Sequence, residues 1–261
     1  VNATRVRSTA SAVWPPVLAG ALFLGAWQLW VKAYDIQPFV IPSPTSIVQS
    51  FFDDFDLVWK ASLVTGTNAF IGLVLGAVFG FLIAVLTNRF KIVSEIINPL
   101  AVTIAAVPAV VIVGVLNNMY SLDSQIGRRI MVTLAVFFIV FVQVAKGLRQ
   151  NDATQMELMR SYAATPRQVL GKVRLPNTMP FFFTAIRNAA PVAVIIALVS
   201  EYFGGTQDGL GSKISGTLNG SNKALGFAYV LGGSIVGLLF FVGANLLEYY
   251  VVPWRRRRPS R

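Results

Sequence analysis

The length of its uncharged apolar runs limits what this chain can fold into more than any other feature. Crossing a hydrocarbon layer of roughly 30 Å takes about 20 helical residues. Six runs are long enough, at about 13–33, 62–88, 97–118, 129–147, 180–202 and 224–250. Lipid offers no water to pair with backbone amides, so only helices or closed barrels cross it, and these runs are too long for strands. The predicted fold class is an all-α polytopic membrane protein with about six transmembrane helices. Composition agrees: 13% of residues are charged, against about a quarter in soluble domains.

Charge gives the expected orientation. With alternating spans and the N-terminus in the cytoplasm, 16 of the 22 Lys and Arg fall on the cytoplasmic side and 7 of the 11 acids on the other. That asymmetry predicts cytoplasmic N- and C-termini. The net charge of +11 then reads as topological anchoring, with the tail "WRRRRPSR" at a lipid surface, and excludes nucleic acid as the partner. The first run is longer than a signal-peptide core and no small-residue cleavage site follows it, so it is expected to be retained.

Cysteine and histidine are both absent. That removes disulfides, thiolate chemistry, the commonest metal ligand and His-based proton relays. No catalytic constellation remains, and the chain is not expected to be an enzyme or to bind a cofactor or metal. Lys172 follows Gly171 as in a phosphate loop, but Pro166 and Val173 stand where Gly and Ser or Thr are needed.

The expected organisation is a mobile N-terminal stretch over 1–12, one membrane domain over 13–252, and a basic tail over 253–261. Ser43-Pro44 reads as a helix cap and first residue. Ile47, Val48, Phe51 and Phe52 follow on one face of a short amphipathic helix. Gly72, Gly76 and Gly80, four residues apart, predict close helix packing. Pro108 and Pro191 interrupt spans three and five, freeing the carbonyls of Ile104 and Arg187 and predicting kinks or hinges.

One polar stretch breaks the pattern. "ELMRSYAATPRQVLGKVRLP", Glu157 to Pro176, lies between spans four and five, within a cytoplasmic loop over about 149–179. Helical spacing groups Leu158, Met159 and Tyr162. Thr165-Pro166-Arg167-Gln168 then reads as a new helix start with a capping box, and Pro176 as its end. A helix–turn–helix with an apolar ridge and no membrane to bury it is built to dock on another protein.

This stretch resembles the "EAA" loop in the membrane subunits of bacterial binding-protein-dependent ATP-binding-cassette importers. That loop reads Glu-Ala-Ala, three residues, Gly, nine residues, a β-branched residue, any residue, Leu-Pro. Glu157, Ala163, Val173 and Leu175-Pro176 occupy its positions; Leu158-Met159 and Ala163 depart from Ala-Ala and Gly. "PFVIPSP", "RLPNTMPFFFTAIR" and "GLGSKI" resemble the subgroup that imports nitrate, sulfonates, taurine, bicarbonate and related solutes, a pattern shared by vitamin and pyrimidine-precursor importers.

The resemblance implies a multi-pass permease of the bacterial plasma (inner) membrane, with a coupling helix that docks in a cleft of a separate ATPase. Tyr162, Ala163, Ala164, Thr165 and Arg167 would form that contact and Glu157 would brace it. Implied partners are two ATPase copies carrying ATP and Mg, a second permease subunit (homodimer slightly favoured, heterodimer open) and an external binding protein. Candidate path residues are the intramembrane polar groups Asn68, Asn188, Ser200 and Glu201. Asn98 and Gln143 read as interhelical hydrogen-bonding groups, and Arg187 as snorkelling near the cytoplasmic interface. The alternative function is a stand-alone channel or ion-coupled carrier, which would need coupling residues that these spans hardly offer.

Overall fold

A computed structural model describes residues 3–90, 92–93, 95–97, 99, 107–120, 124–150, 152–204 and 208–251, with the side chains of 3–13, 109, 117 and 118 left aside. The tail 253–261, Asn98 and part of the third apolar run lie outside these residues. In chain order the helices are α1 (Ala3–Ala33), α2 (Pro44–Asp53), α3 (Phe55–Arg89), α4 (Ala109–Met119), α5 (Ile126–Arg149), α6 (Ala153–Ser161), α7 (Pro166–Val169), α8 (Leu175–Tyr202), α9 (Leu210–Leu218) and α10 (Lys223–Val251). A π turn, Leu170–Arg174, joins α7 to α8. Five described helices are long and apolar enough to cross a membrane: α1 over Trp14–Ala33, α3, α5, the continuous Pro166–Tyr202 and α10.

The α3–α5 seam is the most extensive in the bundle, and the three spaced glycines explain it. A Cβ on Gly72 would stand 2.4 Å from Val132, one on Gly76 2.7 Å from the Thr133 carbonyl, and one on Gly80 2.8 Å from the Phe137 carbonyl. Small residues therefore let the two backbones nearly touch. The order of these contacts shows that α3 and α5 run in the same direction, so the chain between Phe90 and Gln125 must travel back along the bundle. α8 runs opposite to both. Its Phe182 meets Phe81 edge-on at 5.3 Å, while Gly147 faces Phe181 and Thr65 reaches Glu201 at the other end. Val136, Val140, Ala189, Ala193 and Ala197 fill the core between these helices.

Local expectations meet the structure unevenly. Ser43 caps α2 by accepting from the Ser46 N–H, with Pro44 at the first position. Ile47 is buried and Phe51 packs on the core, but Val48 and Phe52 are exposed.

The prolines need correction. Pro108 is not inside a kinked helix: it stands at the N-terminal boundary of α4 with ψ 127°. Pro176 does not end a helix; the π turn just before it widens the backbone where a proline ring would otherwise crowd the preceding turn, and helix continues to Tyr202. That helix also continues through Pro180 and Pro191. Thermal unfolding in detergent tests the seam: Gly76→Ala should lose about 1–3 kcal/mol by overpacking. Gly66→Ala, whose Cβ would have its nearest neighbour at 3.9 Å, should be neutral or stabilising. Equal midpoints for the two variants would refute the close-packing account.

Candidate functional site

The helix–turn–helix after α5 is confirmed, with changes. α5 ends at Arg149, and Asp152 starts α6 by accepting from the Thr154 N–H. At the other end of α6, the Ala164 N–H donates to the Met159 carbonyl at 3.0 Å and the Ala163 N–H to the Arg160 carbonyl at 2.9 Å. This bond pair terminates helices around one left-handed residue, and Ala163 takes that conformation with φ 49°. Alanine thus holds the geometry that the loop pattern assigns to glycine. Thr165 and Gln168 then form the capping box of α7, with the Thr165 N–H donating to Gln168 Oε1 at 2.8 Å and the Gln168 N–H to Thr165 Oγ1 at 3.4 Å.

This corner is exposed. Neither α6 nor α7 has a buried residue; of the three apolar residues grouped on α6 and its end, Leu158 and Tyr162 are 54% and 75% accessible and Met159 is half-buried. Thr165 and Arg167 are exposed and Ala164 is half-buried. Beyond the turn, the apolar residues Val169, Leu170 and Val173 are half-buried, and Leu170 packs on the core. Glu157 is exposed and has no hydrogen bond or ion pair among the described residues. The bracing instead comes from Asn177 Nδ2, which donates to Gln155 Oε1 at 2.8 Å, and Arg174 Nη1, which donates to Asn88 Oδ1 at 3.2 Å.

At the opposite end of the bundle the structure brings together two of the proposed path residues. Asn68 Nδ2 donates to Glu201 Oε1 at 3.4 Å, and both residues are 1% exposed. Glu201 Oε2 also accepts from Thr65 Oγ1 at 2.7 Å and from the Gly211 N–H at 3.1 Å. Thr65 Oγ1 in turn accepts from the Leu210 N–H at 2.9 Å. The N-cap of α9 is Gly209, which has no side chain to offer, so Thr65 and Glu201 cap that helix from two other helices. The corner has no spare room: a Cβ on Gly209 would lie 2.2 Å from the Glu201 carboxylate, and one on Gly211 2.1 Å from the Leu198 carbonyl.

The network extends to α5. Asn68 Nδ2 also donates to Gln125 Oε1 at 2.7 Å, Arg128 Nη1 donates to the same oxygen at 2.8 Å, and Arg129 Nε donates to Asn68 Oδ1 at 3.1 Å. Sequence reasoning missed Thr65, Gln125, Arg128 and Arg129, having counted both arginines only as charges on the non-cytoplasmic side; Arg128 is 1% exposed. The other path candidates stand apart from this network: Ser200 is buried and Asn188 is exposed on α8. Arg187, expected to snorkel, pairs with Glu248 of α10 at 3.2 Å.

Two variants check these geometries. Ala163→Gly should gain about 1 kcal/mol by relieving the left-handed strain, read as slower hydrogen exchange over 159–166; unchanged exchange would mean no strain is held there. Glu201→Ala strands the Gly211 N–H and should cost about 1–3 kcal/mol. Glu201→Gln, which keeps an acceptor, should lose less on the same thermal scale, and an order reversed between the two would refute the cap.

Comparison with known proteins places this arrangement. Residues 76–257 match the family described as "Binding-protein-dependent transport system inner membrane component". A probable ABC transporter permease protein of Haemophilus influenzae is 29% identical over 93% of this chain and 95% of its own length. The formylaminopyrimidine transport permease protein ThiX of Halalkalibacterium halodurans is also 29% identical, over 93% of this chain and 96% of its own. The putative aliphatic sulfonates transport permease protein SsuC of Bacillus subtilis is 25% identical over 92% and 87%. Among solved structures, an amino acid ABC transporter chain superposes with a TM-score of 0.65 at 17% identity, covering 78% of this chain and 98% of that one, which supports the fold. With an α-helical bundle of apolar spans and a family match over most of its length, the chain belongs to the binding-protein-dependent transport system inner membrane components, the permeases of ABC importers.

Proposed function

We propose that this permease forms the translocation path of an importer in the bacterial plasma membrane, driven by a separate ATPase that docks on the corner between α6 and α7. The exposure of that corner carries the reading: Leu158 and Tyr162 stand bare on a loop whose ends are rigidly capped. Force from closure of an ATPase can reach the spans only through a stiff element. The Thr165–Gln168 box on one side of Ala163 and the helix-terminating bonds on the other make one. In this reading Tyr162, Ala163, Ala164, Thr165 and Arg167 meet the ATPase, which carries ATP and Mg, and Glu157 has its partner there.

Two ATPase copies and two permease subunits complete the assembly, with an external binding protein delivering the solute. The left-handed Ala163 favours two identical permeases, because the departure from glycine leaves the turn geometry intact and gives no sign of a degenerate loop. Similarity to permeases named for formylaminopyrimidine, aliphatic sulfonate and taurine transport supports a small organic or inorganic solute of the nitrate, sulfonate, taurine or bicarbonate class, or a vitamin or pyrimidine precursor.

Ala164→Glu tests the coupling. It places a charge at the turn without touching a spanning helix. The assembled complex should keep its thermal midpoint while uptake into liposomes falls about tenfold or more, equivalent to about 1.4 kcal/mol of lost coupling. Uptake at the normal rate would remove this corner from the power path.

A further inference from the structure

Arg129 stands out among the charged groups of the Glu201 network. Its neighbour Arg128 is buried and tied to Gln125 and to the Ser124 carbonyl, and Glu201 is enclosed by Thr65, Asn68 and Gly211. Arg129 is half-buried, and the one hydrogen bond of its guanidinium among the described residues runs from Nε to Asn68 Oδ1. No carboxylate there lies within ion-pair reach of it. Asn68 in turn has a fixed orientation, because its Nδ2 donates to Gln125 and Glu201 and leaves Oδ1 for Arg129.

A guanidinium has two forked edges. Tethering Nε to Asn68 commits the side edge and leaves the end edge, Nη1 and Nη2, without a hydrogen bond among the described residues. Two parallel N–H groups in that fork match two oxygens of a carboxylate, sulfonate or phosphate. Arg129 also sits in the first turn of α5, where the positive end of the helix dipole adds to its charge. A cation without a partner is costly against lipid and is tolerated where it meets water or an anion.

We infer that Arg129, positioned by Asn68, is a specificity-determining contact for an oxyanion group on the solute at the Glu201 end of the path. This rests on the permease reading above and adds a chemical class and a residue to it. Asn68 is then a positioning residue, and Glu201 acts through it by holding the amide.

The test uses the assembled wild-type complex and no transport. Phenylglyoxal condenses with accessible guanidinium groups, and peptide mass spectrometry follows Arg128 and Arg129 separately. Arg129 should be modified and Arg128 spared. At saturation, acetate, methanesulfonate or inorganic phosphate should slow Arg129 modification about tenfold, equivalent to about 1.4 kcal/mol, while chloride at the same ionic strength does not. The anion that protects best names the group. An inert Arg129, or equal protection by chloride, overturns the inference. Because no ATPase step is read, protection alongside normal uptake by Ala164→Glu would sink the coupling reading alone, and the opposite pair of results would sink this contact alone.

Discussion

The bundle depends on how closely α3 and α5 approach. Gly72, Gly76 and Gly80 let α3 lie on α5 with no α3 side chain at those positions, so that Val132, Val136 and Val140 of α5 meet its bare backbone, and the two helices run in the same direction. In a membrane there is no hydrophobic gain from helix association, so such packing is a main source of cohesion. The shared direction forces a return crossing between the two helices. It also leaves α8 to pack antiparallel against both, through small residues at Ala185, Ala189, Ala193 and Ala197. The placing of Thr65 and Asn68 opposite Glu201 follows from this arrangement.

The two ends of the bundle solve the problem of helix termini in opposite ways. At the Glu201 end, α9 begins without a cap of its own and borrows one from α3 and α8, which locks three helices at a single point. Its buried polar groups form a connected network, the condition under which such groups can be kept in a low-dielectric interior. At the far end, α6 and α7 are capped by residues beside them in the chain and borrow no cap from the bundle. That self-sufficiency lets the corner stand exposed and remain rigid.

Much of this was legible in the sequence wherever a local rule sufficed. Ser43-Pro44, the Thr165–Gln168 box and the glycine spacing each state their geometry within a few residues. Apolar runs gave the helical class, and the loop pattern gave the family. Sequence reasoning failed where the partner lies far along the chain. Thr65 and Gly211 are separated by well over a hundred residues, and nothing near either announces a shared carboxylate. Arg128 stands just before the apolar run at 129–147, and nothing near it in sequence announces that it is buried. Glycine at 209 and 211 beside a helix start was the available signal, since a helix that opens on glycine must find its cap elsewhere. Pro108 and Pro176 were misread for a related reason. A proline states which bond is missing but not whether the backbone ends, widens or carries on.

The π turn at Leu170–Arg174 has a consequence for the angular phase of the molecule. Each residue of an α-helix advances its face by about 100°, and a π turn adds a residue without adding a turn. α7 and α8 are therefore one helical rod whose two parts are out of step. The azimuth of the α6–α7 corner around the bundle is set by this single wide turn. Straightening it into regular α-helix would swing the corner around the rod's axis while leaving every contact within the membrane in place.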